Sequence, residues 1–157
     1  MAETARFIAI DPGLMTGLSV WEWDRVGDPA LMWSGEVDYD HFASSVRSWY
    51  DLSDRDSMYL NVICERFVIN AATAKKSQAP YSLELIGQLK LIMMDHEVSP
   101  ETIAYQSPSD AMAMFDNKKL KKLDYWHVGG AGHALDSIRH GLLYFVKRGW
   151  KPAGLLS

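Results

Sequence analysis

Four side chains of this sequence are suited to holding divalent cations. Asp11 and Glu65 each follow a short apolar run, so each acid ends a predicted strand. If these two strands are parallel neighbours, their ends meet at one edge of the sheet, where open α/β sheets bind ligands. His133 and Asp136 lie three residues apart on the last predicted helix and project from one face. Three carboxylates and an imidazole suit Mg²⁺ or Mn²⁺, and a pair of such ions can hydrolyse a phosphodiester.

The last predicted helix, residues 133–148, separates into two faces. Projection at about 100° per residue puts its apolar side chains on one side and places His133, Asp136 and His140 roughly opposite. This arrangement predicts that the stripe of acid and histidine residues lies outside the core. Arg139 and His140 are also spaced to pair with Asp136.

Each acid has a structural explanation when it is taken alone. Asp11 could cap the Pro-Gly turn that follows it, Glu65 could be a surface acid, and Asp136 could stabilise the dipole of its helix. His133 is poorly explained in this way, because histidine favours the C-terminal end of a helix. Taken singly, the three acids are therefore explained better by structure than by chemistry.

The hydropathy pattern predicts the elements that must position these residues. We expect strands at residues 7–11, 17–23, 30–37, 58–64 and 102–106, and helices at residues 39–52, 81–96, 109–115 and 133–148. An exposed loop is expected over residues 66–80, and a lysine-rich connector after residue 115. Three meandering strands followed by two that are reached through helices predict a mixed α/β sheet covered by helices. The length predicts a single domain spanning residues 1–157.

The string Phe7-Ile-Ala-Ile-Asp11-Pro-Gly is followed by Glu65, by the pair Gly87-Gln88 and by the string His133-Ala-Leu-Asp136-Ser. This ordered set spans nearly the whole chain and resembles the RuvC family of Holliday-junction resolvases. The resemblance implies an RNase H-like fold. Together with the strand pattern, it predicts a five-stranded mixed sheet, three strands antiparallel and then two parallel, flanked by helices.

The resemblance also implies a metal-dependent endonuclease that cleaves branched DNA. By position, Asp11, Glu65 and Asp136 match the family's catalytic acids, and His133 matches a place that some members fill with aspartate and others with histidine. These four residues are expected to be catalytic and to bind two Mg²⁺ or Mn²⁺ ions. Metal binding should weaken below about pH 6.5, because a protonated imidazole cannot ligate. The family further implies a homodimer that makes paired, symmetric nicks in a four-way junction.

Several residues are expected to contact the DNA. The family uses an apolar wedge after its second acid, and Phe67 is the aromatic residue in that region here. An apolar side chain inserted into a base step can hold bent DNA. Phosphate contacts, which position DNA without reading its sequence, are expected from Lys75, Lys76, Lys118, Lys119, Lys121 and Lys122. The run of lysines could equally be a solvated face.

Composition limits the class of protein. The formal net charge is −4, but residues 1–60 carry 11 acids and 4 bases, whereas residues 61–157 carry 9 acids and 12 bases. Local patches in the second part could therefore attract a polyanion. A single cysteine rules out an internal disulfide framework, and no apolar run reaches the roughly 20 residues of a membrane span. We expect no membrane association and a cytoplasmic location, in the host cytoplasm if the protein is virus-encoded.

Two other functions are compatible with this sequence. An RNase H-like nuclease could act on another nucleic acid, such as an RNA end or an RNA–DNA hybrid, with the same catalytic set. A non-catalytic junction-binding module would not need the acids. An ATPase of the actin or sugar-kinase type is disfavoured, because the Asp-x-Gly that begins at Asp11 has no second copy in the 157 residues.

Overall fold

Five strands form the sheet of this protein, for which the computed structural model describes residues 3–75 and 79–155. The strands are β1 (Ala5–Asp11), β2 (Met15–Trp23), β3 (Ala30–Asp38), β4 (Leu60–Glu65) and β5 (Ala104–Gln106). Their order across the sheet is β3-β2-β1-β4-β5. The first three pair antiparallel, and β4 and β5 join in parallel. The predicted mixed sheet is confirmed.

Helices cover both faces of the sheet. They are α1 (Phe42–Arg55), α2 (Ala79–Asp95), α3 (Pro108–Met114), α4 (Asn117–Lys122) and α5 (His133–Lys147). Successive residues of a strand point to opposite faces, so Ile8 and Ile10 pack with α1 and α2, whereas Phe7 and Ala9 pack with α3, α4 and α5. Among the described residues, no helix has both the length and the apolar character needed to cross a bilayer.

Helix α5 is buried on more sides than its sequence predicts. Every residue from 137 to 145 is buried, because the sheet covers one side of the helix and α3 packs against another. A Cβ on Gly141 would lie 2.6 Å from Nε1 of Trp21, so glycine permits this close packing. His140 is only 1% exposed. The prediction that His140 lies on a stripe outside the core is therefore wrong.

The lysine-rich segment after α3 is a helix, so the predicted connector is wrong. Asp116 caps α4 by accepting a hydrogen bond from the Lys119 backbone N–H at 2.9 Å. Leu120 is fully buried and anchors the helix to the core below α5. A cap and one buried leucine are thus enough to order a segment whose other side chains are mostly charged.

Candidate metal centre

The ends of β1 and β4 bring Asp11 and Glu65 to the same edge of the sheet. The two strands pair in parallel with Ile10 opposite Cys64, so each acid directly follows a paired residue. Asp11 is 8% exposed, and the side chain of Glu65 is 22% exposed. The prediction that these two strand ends meet is confirmed.

A close approach between β2 and α5 brings His133 and Asp136 to this edge. The first turn of α5 passes over Gly17, where a Cβ would lie 1.8 Å from the carbonyl oxygen of His133. No side chain fits this space, so glycine is required in β2 at this position. The chain enters α5 through Gly132, whose φ of 93° lies in the left-handed region that favours glycine.

Three of the four predicted ligands converge. Asp11, His133 and Asp136 each offer one ligand atom, and these atoms all lie within 4.8 Å of one another. Nδ1 of His133 is 3.1 Å from Oδ2 of Asp11. Glu65 is outside this group, and its Oε2 lies 3.0 Å from Nε2 of His140. The predicted pairing of His140 with Asp136 is therefore wrong, and Glu65 stands beside the cluster on the neighbouring strand.

Burial raises the pKa of Asp11 to about 6. The hydrogen bond with His133 opposes this shift, whereas the charges of Glu65 and Asp136 add to it. The pKa of His133 is also raised, mainly by its hydrogen bond to Asp11. In mildly acidic solution the metal-free cluster therefore keeps a proton between Asp11 and His133. A divalent cation would replace that proton and offset the repulsion among the acids.

Cation binding at this cluster should weaken as the pH falls. Because the folded-state pKa values of Asp11 and His133 are raised, protons compete with a cation at and below about pH 6 at Asp11, and at His133 they compete already above the ordinary histidine pKa of about 6.5. We expect Mn²⁺ to raise the Tm strongly at about pH 8 and hardly at all at about pH 5. The apparent affinity for Mn²⁺ should fall about tenfold per pH unit for each proton that the cation displaces. Scanning fluorimetry measures this, with NaCl of equal ionic strength as the control. Equal Mn²⁺ shifts at both pH values would contradict it.

Arg139 holds Asp136 from outside the cluster. Its Nη1 donates to Oδ1 of Asp136 at 2.5 Å, and its Nε donates to the carbonyl of Phe115 at 2.8 Å. Its Nη2 donates to the side-chain oxygen of Asn117. The predicted pairing of Arg139 with Asp136 is confirmed. The same guanidinium also ties the first turn of α5 to the junction between α3 and α4.

Glu36 on β3 is a site residue that sequence reasoning misses. Its carboxylate accepts hydrogen bonds from the backbone N–H groups of Ala131 and His133 at 2.9 Å and 3.0 Å. It thus caps α5, whose own N-cap residue, Gly132, has no side chain. Desolvation alone would raise the pKa of Glu36, but these hydrogen bonds outweigh it and the pKa is lowered. Because the cap comes from 97 residues away in sequence, no local pattern reveals it.

The segment after β4 forms an exposed turn with an apolar tip. Phe67 is half-buried, whereas Val68 and Ile69 are 53% and 57% exposed. The side chain of Asn70 accepts two backbone hydrogen bonds inside the turn, and Oγ1 of Thr73 donates to the carbonyl of Val68 at 2.6 Å. These bonds hold the turn so that Val68 and Ile69, more than Phe67, face outward.

The lysines predicted to contact phosphates lie in two places. Lys75 is exposed in the turn after β4, and Lys76 lies outside the described residues. The other four are on α4, where three side chains also contact the protein: Lys119 donates to the carbonyl of Met114, Lys122 donates to that of Gly154, and Lys121 lies over the ring of Trp126. These contacts fix the positions of the side chains and leave their positive charge in place.

The whole architecture matches solved structures of RuvC from Thermus thermophilus. The structure of that protein in complex with a Holliday junction substrate has a TM-score of 0.62 and 14% sequence identity, covering 92% of this chain and 96% of that chain. This chain has the RuvC fold. A second T. thermophilus RuvC structure has a TM-score of 0.63 and 14% identity, covering 91% of this chain and 95% of that chain. Comparison of the sequence with protein-family models and with curated proteins finds no match.

The cluster at the sheet edge fits a divalent metal ion. Asp11 and Asp136 offer hard oxygen ligands and His133 offers a nitrogen, a set suited to Mg²⁺ or Mn²⁺. The raised pKa of Asp11 adds a second argument, because a bound cation would favour the ionised form that burial disfavours. Glu65 stands on the adjacent strand, where it could serve a further ion together with Asp11.

Proposed function

We propose that this protein is a metal-dependent endonuclease for branched DNA, a Holliday-junction resolvase whose single nuclease domain spans residues 1–157. The observation that carries the proposal is the convergence of Asp11, His133 and Asp136 at one edge of a RuvC-like sheet, with Glu65 beside them. Residues that are 122 positions apart in sequence meet here, and their types suit cation binding. We propose that the protein acts in the cytoplasm.

The four residues have separate roles in this proposal. Asp11, His133 and Asp136 would hold one Mg²⁺ or Mn²⁺ ion, and Asp11 and Glu65 would hold a second. Such ions supply an activated water for attack on the scissile phosphate and stabilise the leaving oxygen. In acidic solution, a cation must first displace the proton that Asp11 and His133 would share across their 3.1 Å contact.

Other residues of the chain would keep these ligands in place. Arg139 orients the carboxylate of Asp136 through the hydrogen bond to Oδ1. Glu36 fixes the backbone at His133 by capping α5. Both contacts restrict the ligand residues before a cation binds. Less conformational entropy is then lost on binding, so the affinity for the cation is higher.

DNA would be held on either side of this edge, by the turn after β4 and by α4. The phosphate contacts are proposed for Lys75, Lys76, Lys118, Lys119, Lys121 and Lys122. Helix α4 begins at Asn117, which contacts Arg139, and Arg139 contacts Asp136. One guanidinium therefore links the lysine-bearing helix directly to a proposed metal ligand.

A homodimer would supply two such sites for paired nicks. Helix α2 supports this part of the proposal, because it packs Leu85 and Leu89 into the core while Leu83, Leu91 and Met94 are 41%, 53% and 54% exposed. An exposed apolar face on a long helix is suited to association with a second copy. Sedimentation of the purified protein, alone and on a junction, measures the number of copies.

The exposed tip of the turn after β4 is expected to help open the junction. Replacing Ile69 with serine should lower junction opening and cleavage about tenfold or more, because an apolar wedge offsets part of the cost of unstacking a base step. Fluorescence of 2-aminopurine placed at the crossover measures opening. The matched control is Val26→Ser, since Val26 is 81% exposed on another loop. Unchanged opening with Ile69→Ser, or an equal loss with Val26→Ser, would count against this role.

The central experiment is incubation of the protein with a labelled synthetic four-way junction in Mg²⁺ or Mn²⁺. The proposal expects two symmetrically placed nicks. A panel containing a flap, a fork and an RNA–DNA hybrid compares substrates under the same conditions. Cleavage of the hybrid alone would favour an RNase H-like enzyme for another nucleic acid. Junction binding with no cleavage in either metal would favour a non-catalytic binding module and overturn the proposed activity.

A further inference from the structure

His140 is a buried polar residue in contact with the one predicted ligand outside the cluster. It lies in the middle of α5 and is 1% exposed. Its Nε2 is 3.0 Å from Oε2 of Glu65, at the end of β4. This contact occupies one carboxylate oxygen of Glu65 and leaves the other for a cation.

Gln106, at the end of β5, decides which nitrogen of His140 carries the hydrogen. It is 5% exposed. In one orientation of its side-chain amide, both the nitrogen and the oxygen have hydrogen-bond partners. In that orientation the nitrogen donates to Nδ1 and to the carbonyl of His140 at 3.1 Å and 3.0 Å, and the oxygen accepts from the Tyr144 backbone N–H at 3.2 Å. Because Nδ1 then accepts a hydrogen bond, the hydrogen of the neutral ring is on Nε2, which donates to Glu65.

We propose that Gln106 and His140 are positioning residues that aim Glu65 at the metal site. This inference rests on the proposed function, in which Glu65 is a metal ligand. The chain of contacts runs across three adjacent elements, from the end of β5 through α5 to the end of β4. Both side chains are buried, so packing leaves them little freedom to turn away from Glu65. Hydrogen bonds that orient a metal-bound group typically change metal affinity about 10-fold to 100-fold when they are removed.

The test compares two substitutions of His140. His140→Gln keeps an N–H group near the position of Nε2, whereas His140→Leu keeps the bulk and removes the donor. Mn²⁺ affinity, measured by calorimetry on the metal-free protein, should fall about 10-fold to 100-fold in His140→Leu and largely recover in His140→Gln. Ser137→Ala is the control, because Ser137 is buried on the same helix and its hydroxyl donates within that helix, to the Ala134 carbonyl.

Gln106→Leu keeps the inference testable if His140→Leu does not fold. It removes the donor to Nδ1 and should lower Mn²⁺ affinity in the same direction as His140→Leu. Wild-type affinity in a folded His140→Leu or Gln106→Leu protein would overturn the inference. An equal loss in His140→Gln and His140→Leu would also overturn it, since packing alone would then explain the effect. A wild-type protein that binds Mn²⁺ but cuts no junction would instead remove the proposed function, while the Mn²⁺ affinities would still decide the positioning role.

Discussion

Replacing Asp11 with asparagine should abolish cleavage while making the metal-free protein more stable. The carboxylate is central to the proposed site, and its loss would remove a ligand from both of the ions that the site is proposed to hold. Loss of several kcal/mol of transition-state stabilisation corresponds to a fall of about a thousandfold or more in the cleavage rate. Junction binding, which is proposed to depend on lysines elsewhere, should persist. Cleavage and gel-shift assays on the same four-way junction separate the two effects.

The stability gain follows from the raised pKa of Asp11. Its pKa is raised from 3.8 to about 6 in the folded chain, so the ionised carboxylate destabilises the fold, and this cost is fully present above about pH 6. Asparagine has no such cost, and the Tm at about pH 8 should rise by about 3–6 °C without metal. Mn²⁺ should then stabilise the wild type but not Asp11→Asn.

The control for this variant is Asp51→Asn, which removes an acid that is 75% exposed on α1. It should change neither cleavage nor the Mn²⁺ effect. A cleaving Asp11→Asn protein would remove Asp11 from the catalytic set. A lower Tm without metal would mean that the hydrogen bond to His133 outweighs the cost of burying the carboxylate.

Replacing Gly17 with alanine should cause the largest loss of stability, together with loss of the metal site. The added Cβ would lie 1.8 Å from the carbonyl oxygen of His133 and 2.9 Å from the backbone nitrogen of Ala134. These are backbone atoms, so the first turn of α5 must move away from β2. We expect about 3–5 kcal/mol less stability in urea unfolding, and loss of the Tm increase with Mn²⁺ in whatever protein remains folded.

Gly87→Ala is the matched control for this substitution. Gly87 lies inside α2, and an added Cβ would meet no atom of the residues that the structure describes within 4 Å. Alanine there should leave stability unchanged or raise it by about 0.5–1 kcal/mol, because glycine is a poor helix former. Equal stability of Gly17→Ala and Gly87→Ala would contradict the close packing of α5 on β2.

The sheet and the residues at its edge could be predicted because their signals are local. Asp11 and Glu65 end short apolar runs, and parallel pairing of β1 with β4 follows from the crossover through α1. The spacing of His133 and Asp136 on one helix is equally local. These signals, with the resemblance to RuvC, were sufficient to name three residues that the structure brings together.

The contacts that support the site could not be predicted, because they join distant parts of the chain. Helical projection predicts that His140 lies outside the core, yet α3 and the sheet bury it against Glu65. Glu36 caps α5 from another strand, and glycine spacing alone does not reveal that Gly17 lies under that helix. Each of these contacts depends on where α5 docks. Tertiary packing determines that position, and the periodicity of apolar residues along the helix does not reveal it.

The distance along the chain between Asp11 and His133 has a consequence during synthesis. A ribosome produces the segment with Asp11 first, and 122 further residues must be added before His133 exists to join it. Until α5 leaves the exit tunnel and docks, a nascent chain has neither the imidazole nor the second carboxylate of the cluster. A polypeptide released before that point therefore lacks half of the ligand set on which the proposed cleavage depends.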